Sequence, residues 1–222
     1  MTGDHPAREH SFRLLSIGGV RRLRVQIGYQ LTPDESAYQR YLLDLPVLPV
    51  QDDNDHAFEE ARVLGTLEPL LYSGAEAPSP YSLHQHRWQT SWGTSRNELE
   101  IDLLVTTGTA TSDVLMAADK AVTRAFQELM ELTRQSESEP SSRDDALLRA
   151  RDSVATAFTV EPDSLWTGTE EHHPHEGSWS VGLRTTDGEQ YDVRVGFVAG
   201  YAGAVRVRHL RPVEVSDSLG SE

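Results

Sequence analysis

Apolar and polar positions alternate most regularly between Thr111 and Gln135. Val114, Leu115, Ala118, Ala121, Val122, Ala125, Leu129 and Leu132 recur there at three- and four-residue steps, the spacing of one face of an α-helix. Ser112 is placed to cap the first turn. Asp113 complements the positive helix end, and Arg134 the negative one. At 1.5 Å per residue such a helix runs roughly 35 Å, enough to lie along a whole sheet.

The stretch before it supplies the sheet. Ser11 to Ile17 reads as a short strand, and Gly18-Gly19 as a hairpin turn. Leu23, Val25, Ile27, Tyr29 and Leu31 then alternate with Arg22, Arg24, Gln26, Gly28 and Gln30, the period of a half-buried strand. Thr32-Pro33-Asp34-Glu35 has the form of a capping box. It predicts a helix to about Leu43, with Tyr38, Tyr41, Leu42 and Leu45 as its stripe, ended by Pro46 and Pro49. A second helix is expected from about Asp55 to Tyr72 on Phe58, Ala61, Leu64, Leu67 and Leu71, with Pro69 distorting its last turn. Ser73 to Ser82 is a loop by composition. Two strands follow, the first with His86, Trp88, Thr90 and Trp92 on one face, the second with Leu99, Ile101, Leu103 and Val105. The order ββααββα predicts an α+β domain over 11–135, an antiparallel sheet with helices on one face, preceded by a disordered segment 1–10.

Residues 136–142, within SESEPSS, have the composition of a linker. A small α+β domain is expected over 143–213. Its helix carries Leu147, Leu148, Val154, Ala155 and Phe158, and a polar loop spans Thr167 to Gly177. Three antiparallel strands then carry Trp179, Val181 and Leu183, next Tyr191, Val193, Val195 and Phe197, and last Val205, Val207 and His209. One helix over three strands is a marginal core, so this unit is expected to dock on the first domain, a second copy or a partner. Residues 214–222 read as a disordered acidic tail.

Composition narrows the function classes. The chain has 222 residues with 35 Asp and Glu against 20 Lys and Arg, a net charge of −15. Such a charge opposes nucleic-acid binding. Arg21-Arg22-x-Arg24 is the local basic run, and it reads as a solvated strand face. Lys120 is the sole lysine, a bias that fits a GC-rich, actinobacterial genome or a halophile. No apolar run reaches a membrane span, the N-terminus has no signal-peptide core, and the absence of cysteine removes disulfide and thiolate chemistry. The expected compartment is the cytoplasm.

No catalytic set emerges. There is no G-x-S-x-G elbow, and Gly18-Gly19 does not precede a helix as a phosphate loop requires. Metal ligation has two weak candidates, the His84-x-His86 pair and the His172, His173 and His175 cluster of EEHHPHE. The first suits packing beside Trp88, and the second has no helical spacing to aim two rings at one ion, so no metal or other cofactor is called for. Trp166 and Tyr201 lie in loop-like surroundings and are the candidates for partner contact. The reading is a non-enzymatic interaction or accessory subunit of a larger bacterial assembly, with a protein partner or self-association and neither nucleic acid nor membrane. The alternative is a small-molecule binder or enzyme with a pocket between sheet and helices of the first domain, using His84, His86 and Trp88.

Overall fold

The alternation that begins at Leu23 continues across a sheet of eight strands. The computed structural model describes residues 20–31, 38–46, 60–72, 81–89, 95–106, 112–132 and 141–210. Its strands are β1 (Val20–Gln30), β2 (Tyr38–Pro46), β3 (Tyr81–Gln89), β4 (Ser95–Thr106), β5 (Trp166–His173), β6 (Ser178–Arg184), β7 (Gln190–Val195) and β8 (Ala204–Leu210). The helices are α1 (Glu60–Tyr72), α2 (Ser112–Leu132) and α3 (Arg143–Phe158). In space the strands run β3-β4-β1-β2-β8-β7-β6-β5. All neighbours are antiparallel except β1 and β4, which are parallel, so the sheet is mixed and the α+β class stands.

Two cores lie on opposite faces of this one sheet. Leu23, Val25, Ile27 and Tyr29 of β1, Tyr41, Leu43 and Leu45 of β2, and Ile101, Leu103 and Val105 of β4 are buried beneath α1 and α2, which contribute Val63, Leu67, Val122, Phe126 and Leu129. On the other face α3 buries Ala146, Ala150 and Val154 against Val181, Leu183, Val193, Val195, Val205 and Val207. Ser142 caps α3 by accepting from the Asp145 N–H, and Thr159 closes it in the left-handed conformation. Arg143 ties the start of that helix to β5 by two bonds to Glu170, at 2.7 and 2.8 Å.

The two units expected from composition share this sheet, through antiparallel pairing of β2 with β8 from Gln39–Arg208 to Leu43–Ala204. Phe197, Val198, Tyr201 and Ala204 of the second unit also enter the core of the first. The linker span is described only at 141–142, and the expected strand at 11–17, both terminal segments and the capping box at 32–35 lie outside the described residues.

Two elements differ from expectation. The helix predicted to Leu43 is instead β2. Tyr41, Leu43 and Leu45 face one core while Leu42 faces the other, a pattern that a strand between β1 and β8 satisfies and a helix does not. The polar loop predicted over 167–177 is β5 followed by a turn. As an edge strand it is largely exposed on both faces and so lacks an apolar period. Its charges Glu170 and Glu171, and the irregularity between Thr167 and Thr169, blunt that edge against further strand addition.

Burial pushes the Tyr29 hydroxyl up to about 12 from 10.0. A phenol that ionises less readily when folded gives stability that is fully present below pH 10 and is lost as pH climbs from 10 toward 12, because the unfolded chain ionises first. For Tyr29 the loss is roughly 2–3 kcal/mol. Urea midpoints are expected to hold up to pH 9 and fall between pH 10 and 12, with a shallower fall for Tyr29→Phe. Parallel pH curves for the two proteins would contradict this.

Candidate functional site

Among the described residues, the offset of the helices leaves the β5–β8 half of the sheet without a covering helix on the α1/α2 side. Alternation along β5–β8 sends one set of side chains toward α3. The other set, including Trp166, Arg184, Asp192, Arg194, Arg206, Arg208 and Leu210, emerges on the opposite face. Among the described residues this face carries no helix of its own, and α2 touches only its margin.

That margin is a polar junction. Asp119 of α2 accepts from the Tyr41 hydroxyl at 2.8 Å, from Gln39 Nε2 at 3.3 Å, and from Arg206 Nη1 at 3.3 Å. Gln39 also donates to the Tyr41 hydroxyl oxygen. Burial and the neighbouring Asp119 carboxylate both push the Tyr41 pKa up, so Tyr41 stays a donor. Arg206 is held with only 12% of its side chain exposed.

Beyond the junction the arginines gather. Arg194 of β7 lies directly across from Arg206 of β8, and Arg208 is two residues further along the same face. Arg194 pairs with Glu176, and its guanidinium donates to Ser178 Oγ at 3.3 Å. Burial first, and then Arg206, lower its pKa. Arg208 is in register with Asp192 yet forms no ion pair among the described residues. The Nε atoms of Arg206 and Arg208 are buried without a hydrogen-bond partner, a cost retained in the folded chain. The next row holds exposed apolar groups, Trp166 (47% exposed) and Leu210 (43%), with the Arg184 guanidinium 5.5 Å from the centre of the Trp166 ring.

Trp166 is exposed, and it opens a strand rather than lying in a loop. Tyr201 is not at an exposed tip: it is 6% exposed within the first core, because the turn made by Gly196 and Gly200, both at positive φ, folds back onto α2. The histidines of EEHHPHE do not converge. His172 stacks on Trp179 at 4.4 Å, and His173 bonds Ser180 Oγ at 2.9 Å from the other face of the strand, while His175 lies exposed in the turn. Among the described residues no group of three or more His, Asp and Glu is disposed to hold a metal. His84 and His86 fall in β3, in backbone register with Glu100 and Glu98, and their side chains lie outside the described part.

The arginine rows were not singled out by sequence reasoning. Their signal was present in the alternation of Arg206 and Arg208 with Val205 and Val207, but the register that sets them beside Arg194 is not written in any one strand.

Fold and surface together define a mixed-sheet α+β protein with an arginine-bearing half-face that no helix among the described residues covers. Compared with known proteins, the chain matches no protein-family model, no curated protein and no solved structure. Its functional reading rests on the geometry above.

Proposed function

We propose that this protein is a non-enzymatic interaction module, an accessory subunit of a larger assembly in a bacterial cytoplasm, and that the bare half-face of β5–β8 receives its partner. The observation that carries this reading is the exposed pair Trp166 and Leu210 set beside Arg184 and Arg208, on a sheet surface that no described helix covers. Aromatic and arginine side chains together are the groups that anchor protein interfaces. The arginine-for-lysine bias supports a GC-rich, actinobacterial source, and no helix among the described residues is long and apolar enough to cross a membrane.

The reading of a pocket between sheet and helices has less support. Val63, Leu67, Val122, Phe126 and Leu129 fill that space against Leu23, Val25, Ile27, Ile101 and Leu103.

Affinity capture from the native host with the full chain, beside an Arg208→Glu, Trp166→Ser variant, tests the proposal. Both positions are on the surface side of the sheet, so the variant is expected to keep the wild-type circular dichroism. A stoichiometric partner reduced about tenfold in the variant is the expected result, the loss of one or two interface anchors. Equal capture by both proteins would overturn the assignment of this face. A chain that captures nothing but gains several degrees of stability from one metabolite would replace the reading with ligand binding.

A further inference from the structure

Resting on that reading, we infer that the half-face recognises an extended, acidic segment of a partner protein, whose carboxylates meet Arg208 and its neighbours while separate apolar side chains settle beside Trp166 at one end of the next row and beside Leu210 at the other. The chemistry follows from what each row already holds. Arg206 is engaged by Asp119 and Arg194 by Glu176. Arg208 stands next to both, half-buried, with no ion pair among the described residues. The Arg208 guanidinium, opposite Asp192 but not bonded to it, offers a fork of donors to an incoming carboxylate. Arg184 offers a second cation one row away, on the next strand but one from Arg208, with Gln190 between Arg184 and Leu210.

The apolar row decides between anions. Free phosphate has nothing to place against Trp166 and Leu210, whereas a peptide carries acidic and apolar side chains at strand spacing. The net charge of −15 also repels a long polyanion at range, and a short segment with a few carboxylates far less. Addition to the β5 edge is disfavoured by Glu170, Glu171 and the irregularity there, so the segment lies on the face of the sheet.

The test uses the full chain and a blocked, fluorescein-labelled decapeptide containing four glutamates and two leucines, read by anisotropy at low and moderate salt. Binding is expected at low salt. It should weaken about tenfold when glutamine replaces glutamate or in Arg208→Glu, and about threefold when serine replaces leucine or in Trp166→Ser. Equal binding of the glutamate and glutamine peptides, or unchanged binding to Arg208→Glu, overturns the inference. So does heparin or inorganic phosphate displacing the peptide at lower charge concentration, which would make the surface a general anion site. If no peptide binds while the host partner is still captured through this face, the acidic class falls and the docking reading stands. If neither binds, both fall.

Discussion

A chain ended after Gln135 is expected to lose cooperative folding altogether, although it contains all of β1–β4, α1 and α2. Removing the rest strips β8 from β2 and leaves a central strand as a raw edge, with Tyr41 and Leu43 beneath it. It also removes Phe197, whose ring lies 5.8 Å from both Tyr41 and Phe126, together with Val198, Tyr201 and Ala204. Deleting that much of a core exceeds the stability of an ordinary domain, since single large-to-small core changes cost about 2–5 kcal/mol each. A broad or absent urea transition, dye binding and association on gel filtration are the expected observations. A sharp transition in the truncated chain would refute the shared core. A graded version acts at one atom. Gly203 sits where β8 meets β2, accepting from the Asp44 N–H at 3.0 Å, and a Cβ there would run into the Asp44 carbonyl and the Tyr201 ring. Backbone on one side leaves no flexible neighbour to yield, so Gly203→Ala is expected to cost about 3 kcal/mol.

Asp119→Ala is expected to cost nearly as much, at the junction of α2 with the sheet. The carboxylate answers three donors, and its removal leaves Arg206 as a cation largely enclosed by the fold, with Tyr41 lacking its acceptor and Gln39 keeping the Tyr41 hydroxyl oxygen alone. Breaking one side of a buried pair costs about 3–5 kcal/mol. Partial exposure of Asp119, and the better helix propensity of alanine, bring the expected loss to about 2–3 kcal/mol. The pairing itself is worth less than its rupture. Asp119→Leu combined with Arg206→Met is expected to recover most of the loss, because it removes the stranded charge along with its partner. Chemical denaturation of both single variants and the double one decides this. A double variant no more stable than Asp119→Ala would show that the carboxylate acts through something other than Arg206.

Legibility in the sequence followed from how each element is covered. β1, β4, β6 and α2 carry apolar residues on one side and mostly polar or small ones on the other, so their periods show plainly in the apolar residues. β2 is buried on both sides. The run Tyr41-Leu42-Leu43 therefore has no alternation, and the capping pattern at 32–35 tipped the expectation toward helix. β5 errs in the opposite direction, exposed on both sides and polar throughout. The surface was half visible. Trp166 stood out as an aromatic among polar residues, but Arg194, Arg206 and Arg208 become neighbours only through the register of two strands joined by an eight-residue turn. Tyr201 was misplaced for a related reason: glycine-rich composition marks a turn without saying which way it folds.

The pairing of Arg40 with Val207 has a consequence for the order of events during synthesis, since the second residue follows the first by 167 positions. At about 5–20 residues per second, a ribosome needs roughly 8–33 s to pass from one to the other. During that interval the rest of the first half of the sheet, β3 and β4, is made before the strand that closes it, and β2 presents unpaired backbone on its β8 side to whatever is near. The last of the described strands is the one that joins the halves, so the sheet is sealed only once β8 has been made, and a nascent chain stalled before Ala204 is the species most exposed to misassociation.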